Sequence, residues 1–388
     1  MIHSWGTYQV STRFVILVVS MGILWMACSK DDSKDEINPD QIVPSSAANL
    51  CEVVLDAGTS YELEKPFFFP EPAIPADNPF TEEGIELGRH LFWDKRLSRN
   101  NTISCGSCHF PSATFGDDTK SSTGLYGGQT RRNSMVLINM AWNNSFFWDG
   151  RARTLEEQLL EPIEDPIEMD FTWREVVEVV GTDAQYQDMF NNAFGSPCVD
   201  SIRITYAMAQ FIRTMISANS PFDKATYGPE ILGTSEQRGL ELFLAEGGDP
   251  NVFPGGQQGG DCFHCHGGAL TLFTDQSFHN NGLDSVFTDL GRAEVNGNQF
   301  SEGHFKTPTL RNIALSAPYM HDGRFATLRE VIEHYNSGGH LSPTLDPLMK
   351  FQDVGLGLSD QDIDDLVAFL ESLTDEEFIN NPDFQDPF

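Results

Sequence analysis

Basic residues are scarce in this sequence. Its 388 residues include 24 Lys and Arg against 57 Asp and Glu, which gives a formal net charge of −33. A surface with that charge repels the phosphates of nucleic acid, so no nucleic acid is expected as a partner. A basic protein is the macromolecular partner that the charge favours.

A run long enough to span a membrane is absent as well. The apolar segment 14–27 follows Arg13 and is too short to cross a bilayer comfortably. It ends in Ala27-Cys28, and a small residue before Cys after such a run resembles a bacterial lipoprotein signal. We therefore predict a signal peptide over 1–27 and a lipid anchor on Cys28, which places the protein in the periplasm or cell envelope. Ordinary cleavage and an uncleaved anchor are the alternatives.

Alternation of apolar and polar residues, which marks strands, is also missing. Segment 201–216 instead repeats apolar residues at helical spacing. Segments 29–50 and 61–80 are rich in charge or proline and are predicted to be irregular, and 111–134 is predicted to be a loop. Capping residues predict helix starts at Thr81, Thr154, Thr172, Thr234 and Ser359.

Cysteine is infrequent, but four of the seven cysteines form a repeated pattern. The motif Cys-x-x-Cys-His occurs at 105–109 and again at 262–266. Two cysteines at this spacing form thioethers with the vinyl groups of a porphyrin, and the following histidine reaches the iron. A zinc site would need two more ligands at tight spacing, and none follows either motif. The sequence therefore predicts two covalent haem c groups, which are held by Cys105, Cys108 and His109 and by Cys262, Cys265 and His266.

Two cysteines, Cys51 and Cys198, lie outside the haem motifs and the predicted lipid site. In an exported protein they are candidates for a disulfide. The sequence leaves open whether they meet, because a disulfide requires their Cα atoms to lie within about 7 Å of each other.

The order of helix, haem motif, long loop and closing helix occurs twice along the chain. This duplication predicts an all-α fold of two cytochrome c-like domains in tandem, each with one covalent haem. Residues 28–74 are predicted to form a tether and an irregular N-terminal segment. The first domain is placed at 75–220 and the second at 221–388.

Several longer motifs resemble those of a known family. In chain order they are Leu87–Ser98, then Phe147-Trp148-Asp149-Gly150-Arg151 with Gln158, Pro162 and Glu168 behind it, then Thr309–Tyr319. They resemble the bacterial dihaem cytochrome c peroxidase family, over roughly residues 75–375, and are long enough to be specific.

The resemblance implies roles for residues near the first haem. His109 would bind the iron of the peroxide-reactive haem, and Gln158 and Glu168 would stand on its open side. A carboxyl there can take a proton from peroxide and return it to the leaving oxygen, and burial would raise its pKa toward that task. Trp148 would carry electrons between the haems. Without the motif, Glu168 would be interpreted as a solvated charge and Trp148 as a core residue.

The resemblance also implies a calcium ion and a homodimer. The ion would be held by the side chain of Asn133 and by the carbonyls of Ser316 and Pro318, with water completing its coordination shell. Family members are often dimers, although the sequence shows no interface marker.

Two positions depart from the common family pattern. Leu125 stands where many members carry a histidine that binds the first iron and must leave, so this site would be open without activation. Tyr335 stands where a methionine commonly binds the second iron, which is similar to MauG, the dihaem enzyme that completes a tryptophan-derived quinone cofactor on another protein. A phenolate ligand would lower the haem potential. Spacing alone leaves four rivals to Tyr335 open, namely Met320, His321, His334 and Met349.

The expected function is that of a dihaem c-type peroxidase. It would reduce hydrogen peroxide to water with electrons from a small cytochrome c or a copper protein, delivered through the second haem. A MauG-like oxidase of a protein side chain or an organic molecule is the second hypothesis, motivated by Tyr335 and Leu125. A non-catalytic electron-transfer lipoprotein with two six-coordinate irons is the third.

Overall fold

Short helices joined by long irregular segments make up the chain in a computed structural model that describes residue 51 and residues 57–248 and 259–388. The predicted signal peptide, the lipid site at Cys28 and the segment 29–50 lie outside these residues. Within the described residues, no helix combines the length and the apolar character needed to cross a bilayer.

The helices of the first half begin where their capping residues predict. Thr154 Oγ1 accepts a hydrogen bond from Glu157 N at 3.1 Å, and Glu157 Oε2 accepts one from Thr154 N at 3.4 Å, which is a capping box. Thr81 and Thr172 also cap their helices. In chain order the helices are Glu82–Trp93 (α1), Leu155–Glu164 (α2), Trp173–Gly181 (α3), Ala184–Phe194 (α4) and Ser201–Arg213 (α5).

The helices of the second half include one start that the sequence placed wrongly. Gly233, not Thr234, is the cap of its helix, and Gly233 N donates to Glu236 Oε2 at 2.7 Å. A glycine cap has no side chain to mark it, so the neighbouring threonine drew the prediction one residue too far. Ser359 caps its helix as predicted. The helices are Pro221–Tyr227 (α6), Thr234–Leu244 (α7), Phe263–His266 (α8), Ala293–Asn296 (α9), Leu328–Asn336 (α10), Asp360–Glu371 (α11) and Glu376–Ile379 (α12).

The only sheet in the described residues is a pair of two-residue strands. Phe278–His279 (β1) runs antiparallel to Phe305–Lys306 (β2). The rest of the regular structure is helical, so the prediction of an all-α fold is confirmed.

The same helix crossing occurs in each half of the chain. α1 packs on α5, where Gly88 lies against Ala207, and α7 packs on α11, where Gly239 lies against Asp365. A Cβ atom on either glycine would overlap the backbone carbonyl of the facing helix, so only glycine permits these close contacts. The repeated crossing is what a tandem of two cytochrome c-like units predicts.

Each helix pair lies in its own buried apolar core, and the end of the chain completes the first one. Phe378 and Phe384 pack among the residues of the first core. Trp93 Nε1 donates to the Phe384 carbonyl at 3.2 Å, and Asp375 Oδ2 accepts from Ala218 N at 3.0 Å. The last residues therefore cross back to the first half, which the sequence did not indicate.

Cys51 and Cys198 form a disulfide, with their Cα atoms 5.9 Å apart. Cys51 N also donates to Asp200 Oδ2 at 2.8 Å, next to the start of α5. The pairing that the sequence left open is therefore made.

Candidate functional site

The first Cys-x-x-Cys-His motif folds as a tight turn beside α1. Cys105–Ser107 form one 3₁₀ turn, and the Trp93 ring lies so close to Gly106 that a Cβ atom there would overlap it. His109 Nδ1 donates to the Phe115 carbonyl at 2.7 Å, so Nε2 is the nitrogen presented to a ligand. Burial lowers the pKa of His109, which keeps the imidazole neutral, as an iron ligand must be.

The second motif repeats this arrangement around α8. His266 Nδ1 donates to the Phe273 carbonyl at 3.0 Å, and burial lowers the pKa of His266. In both motifs a backbone carbonyl a few residues downstream fixes the ring and its tautomer, which is how metal-binding histidines are usually held. Two cysteines and one histidine oriented in this way fit a c-type haem at each motif.

A cavity of about 270 Å³ lies beside the second motif. Cys262, Cys265 and His266 line it together with Met320 and Tyr335. Apolar side chains supply much of the remaining wall, as the flat face of a porphyrin requires. They include Phe243, Leu328, Ile332, Leu356 and Leu366.

Asn281 contacts three of the candidate ligands of the second haem. Its Nδ2 donates to Tyr335 Oη at 3.0 Å and lies 3.6 Å from Met320 Sδ. Its carbonyl accepts a hydrogen bond from His334 Nε2 at 3.0 Å. Tyr335 and Met320 line the cavity, whereas His334 Nε2 is engaged by the backbone. The geometry favours Tyr335 or Met320 over His334.

The other two candidate ligands of the second haem, His321 and Met349, also line the cavity. The His321 ring is buried and stacks on Phe305 with 3.6 Å between ring centres. Burial raises the pKa of Tyr335 to about 12, so the isolated side chain holds its proton. A bound iron would reverse this, because the charge of a metal ion favours the phenolate.

The residues predicted to stand on the open, or distal, side of the first haem come from α2 and the turn that follows it. Gln158 and Pro162 are four residues apart in α2 and therefore share one face of the helix. Asp165 Oδ1 accepts from Ile167 N at 2.7 Å and from Glu168 N at 3.3 Å, which closes the turn that presents Glu168.

Leu125 lies directly against this turn. Leu125 N donates to the carbonyls of Glu168 and Ile167, both at 3.1 Å. Gly124 is packed so tightly that a Cβ atom would overlap the Ile167 carbonyl. The structure thus brings the position where many family members would carry a histidine next to the candidate distal carboxyl.

The carboxyl of Glu168 has an unusual pKa. Burial is the main cause that raises it to about 7, Asp165 and Glu161 add to the rise, and Arg151 opposes it. Burial is the main cause that raises the pKa of the Cys105 and Cys108 thiols, and the charge of Glu168 adds a smaller part, so the carboxyl lies within electrostatic reach of the first haem motif. Such a group can both accept and donate a proton near neutral pH.

Trp148 joins the two halves of the chain. Its Nε1 donates to the Asn133 carbonyl at 2.8 Å, and its own carbonyl accepts from Lys306 N at 2.8 Å. It lines the same cavity as His266. Arg292 Nη1 donates to the carbonyls of Asp149 and Gly150, both at 2.8 Å, and so fixes the two residues that follow Trp148.

The three residues predicted to hold calcium, Asn133, Ser316 and Pro318, all line this cavity. Asn133 Nδ2 donates to the Thr119 carbonyl at 2.9 Å, so the side-chain oxygen is the atom left for a cation. The three residues thus line one cavity, and calcium itself stays a prediction.

Sequence reasoning missed Asn281 and Lys306. Asn281 precedes Tyr335 by 54 residues, so only the fold brings them together, although the polar run His279-Asn280-Asn281 could have drawn attention to it. Lys306 is buried, its Nζ donates to the Ser145 carbonyl at 2.6 Å, and burial lowers its pKa to about 8.

The chain is all-α and contains two Cys-x-x-Cys-His turns, and a carboxyl with a pKa of about 7 lies near the first. These features define the class of dihaem c-type proteins. The family model described as di-haem cytochrome c peroxidase matches residues 82–230, and the one described as cytochrome c matches residues 238–374. The chain belongs to the di-haem cytochrome c peroxidase family, as its motifs predicted, and this membership implies two covalently bound haem c groups.

Named relatives fall into two groups. The chain is 38% identical to the methylamine utilization protein MauG of Methylorubrum extorquens, over 78% of this chain and 81% of the relative. It is 34% identical to the cytochrome c551 peroxidase of Nitrosomonas europaea, over 82% and 86% of the two chains. Among solved structures, a MauG-like protein associated with microbial copper homeostasis shares 34% identity and a TM-score of 0.76, over 84% of this chain and 99% of that one.

Proposed function

We propose that this protein is a peroxidase that reduces hydrogen peroxide to water at the first haem, with electrons from a small cytochrome c or copper protein that enter through the second haem. Cys105, Cys108 and His109 would hold the first haem, and the second motif would hold the other. The observation that carries the proposal is the carboxyl of Glu168, whose pKa of about 7 suits proton transfer beside the first motif.

Two side chains divide the work on the distal side of the first site. Glu168 takes the proton from one peroxide oxygen and returns it to the other as the oxygen–oxygen bond breaks, and a pKa near 7 makes both transfers easy. Gln158 offers an amide that can orient the peroxide. A haem held by Cys105, Cys108 and His109 would supply the iron that binds peroxide and would pass on the electrons of the donor.

The position of Trp148 supports a path for electrons from the second half of the chain to the first. Trp148 donates a hydrogen bond through its indole to the Asn133 carbonyl and accepts one at its own carbonyl from Lys306 N. It also lines the cavity beside His266. We assign it the transfer of electrons between the two sites.

The proposal is tested by the Glu168→Gln variant. Loss of the proton-transfer group should lower peroxide turnover by about 10²–10⁴-fold while both haems remain attached. Turnover is measured as oxidation of a reduced cytochrome c, and haem content by mass. Glu164→Gln, which changes an exposed carboxyl at the end of α2, four residues before Glu168, serves as the control and should keep normal turnover. An active Glu168→Gln protein would remove Glu168 from the mechanism.

A MauG-like oxidase of a protein side chain or organic molecule is a second candidate. The observation that favours it is the position of Tyr335, which lines the cavity beside the second motif and receives a hydrogen bond from Asn281. If Tyr335 binds the second iron, the Tyr335→Met variant should change the absorption and EPR spectra of that haem. The His334→Gln variant should leave the same spectra unchanged. Unaltered spectra in Tyr335→Met would exclude Tyr335 as a ligand.

The remaining assignments belong to the same proposal. We place the protein in the periplasm or cell envelope with a lipid anchor on Cys28, and a calcium ion at Asn133, Ser316 and Pro318. Chelation of calcium should slow electron transfer between the haems, because Asn133 also holds Trp148. A non-catalytic electron-transfer role would be supported instead if no high-spin ferric signal appeared in any oxidation state.

A further inference from the structure

Tyr126 is an exposed aromatic side chain attached to the distal segment of the first site. It is 66% exposed and belongs to the loop 124–128, in which Leu125 N donates to the Glu168 carbonyl at 3.1 Å. Its hydroxyl donates to Asp170 Oδ2 at 3.1 Å. The phenol of Tyr126 and the backbone of the preceding Leu125 are therefore both fixed to the short segment that carries Glu168.

Asp170 is itself held in place. Its Oδ2 lies 3.1 Å from Arg99 Nε, and the Arg99 guanidinium lies over the Phe171 ring at 5.6 Å. A phenol that donates to a fixed carboxylate can lose an electron while its proton moves along the existing hydrogen bond. The product is a neutral radical, so the protein need not stabilise a phenol cation.

The surface around the Tyr126 ring leaves room for a second molecule. Gly127 has a φ of +81° and open space where a Cβ atom would be, and a Cβ atom on Gly128 would meet only the side chain of Ile167, which is 42% exposed. Two residues without side chains thus follow Tyr126 in the loop, and one exposed apolar side chain, that of Ile167, lies beside the second of them. The formal charge of −33 disfavours anionic molecules, so a neutral or cationic aromatic compound fits best.

We propose that Tyr126 is a second oxidation site of the protein, at which small phenols or aromatic amines are oxidised by one electron each at the surface. The inference rests on the proposed peroxidase function, because hydrogen peroxide supplies the oxidising equivalents. Tyr126 gives one electron toward the first haem site and its phenol proton to Asp170. A bound phenol then returns one electron and one proton to Tyr126.

The reaction balances over two such cycles. One hydrogen peroxide takes up two electrons and two protons and becomes two waters. Two phenols each give one electron and one proton and become phenoxyl radicals. The proton that Asp170 receives in each cycle passes to solvent, which replaces the proton used in peroxide reduction.

The test compares variants of the holoprotein, with 2-methoxyphenol as the probe. Tyr126→Phe should oxidise 2-methoxyphenol with peroxide at least tenfold more slowly than the unchanged protein. Tyr126→Trp should recover at least a third of the rate, because indole is also oxidisable but cannot reproduce the phenol bond to Asp170. Tyr206→Phe is the control, since the Tyr206 hydroxyl also donates to a carboxylate, that of Asp77 at 2.8 Å, and it should keep the full rate.

A spectroscopic readout separates a redox role from a purely structural one. Rapid-freeze EPR after addition of peroxide without a donor should show a tyrosyl radical in the unchanged protein and in Tyr206→Phe, but not in Tyr126→Phe. An undiminished radical in Tyr126→Phe, or an equal loss of probe oxidation in Tyr206→Phe, overturns the inference. So does a Tyr126→Trp protein that is as slow as Tyr126→Phe.

A parallel assay distinguishes failure of this inference from failure of the proposed function. Peroxide reduction with reduced cytochrome c should change less than twofold in Tyr126→Phe, because those electrons enter through the second haem. Normal reduction with cytochrome c but no Tyr126-dependent phenol oxidation overturns the surface site alone. An unchanged protein that reduces no peroxide with either donor overturns both.

Discussion

A carboxyl that binds a proton more tightly in the folded chain than in the unfolded one destabilises the fold when it ionises. Glu168 is such a group, because burial and the nearby Asp165 raise its pKa from 4.5 to about 7. Between these two pH values the folded chain holds a proton that the unfolded chain releases. Stability from this group is therefore full below about pH 4.5 and is lost as the pH rises through 7.

The pH dependence of unfolding should reveal this cost. Glu168→Gln, which cannot ionise, should be more stable than the unchanged protein at pH 8 by on the order of 2 kcal/mol, and the difference should vanish near pH 4. Guanidinium unfolding at a series of pH values measures it. A stability difference that is constant over this range would contradict the raised pKa.

A control residue should show the opposite sign. Glu175 has a lowered pKa, chiefly because it accepts hydrogen bonds from the side chain and backbone of Thr172. Its charge stabilises the fold, so Glu175→Gln should lose stability at neutral pH and approach the unchanged protein in acid.

At the scale of single residues, the sequence was most informative where chemistry demands a fixed local spacing. The haem cysteines and histidines stand within five consecutive residues, so their roles could be predicted without a fold. The role of Glu168 was implied by its position 20 residues after Trp148 in the sequence, within a motif that resembles that of the family. Asn281 and Tyr126 could not be found in this way, because their partners Tyr335 and Asp170 lie 54 and 44 residues away.

Among the structural elements, the position of the loop 124–128 depends on the glycine at 124. Gly124 has the Ile167 carbonyl where a Cβ atom would be, so this loop can lie on the turn after α2 only with glycine there. The contact also brings Leu125 N to the Glu168 carbonyl. The packing of a surface loop thus fixes the backbone of Glu168, the candidate distal residue.

The Gly124→Ala variant should therefore disturb both stability and activity. We expect a loss of about 1–3 kcal/mol and a fall in peroxide turnover, because the displaced loop releases the backbone of Glu168. Chemical unfolding and turnover with reduced cytochrome c measure the two effects. Gly128→Ala, whose Cβ atom would meet only the side chain of Ile167, should cost less than half as much. Equal costs would show that the tight contact at Gly124 is unimportant.

The helix starts show how far capping signals can predict structure. Side-chain caps at Thr81, Thr154, Thr172 and Ser359 are visible in the sequence because they use specific oxygen atoms. The start of α7 was misplaced by one residue, since its cap is a glycine. Local signals predict element ends well only when a side chain does the capping.

At the scale of the whole molecule, a disulfide joins two parts of the chain that are far apart in the sequence. The disulfide between Cys51 and Cys198 joins residues 147 positions apart and holds Cys51 next to the start of α5. Closing a long loop restricts the unfolded chain, which stabilises the folded one. The sequence supplied the two cysteines but not their proximity.

Selective reduction should test this contribution. The haem cysteines are thioethers in the holoprotein and do not react with dithiothreitol, so the reagent should open only the Cys51–Cys198 bond. The free energy of unfolding should fall by about 2–5 kcal/mol. The Cys51→Ser, Cys198→Ser double variant should start at the lower value and show no further change. An unchanged denaturation midpoint after reduction would argue against the bond.

Because Phe378 and Phe384 pack in the first core, the first half of the protein depends on the last part of the chain to be synthesised. A chain emerging from its amino end already carries the first haem motif, yet it lacks the aromatic side chains that complete the surrounding apolar core. The first half can finish folding only after the last residues have been released. A chain cut short between the second motif and Phe378 would thus be damaged in the half farthest from the cut.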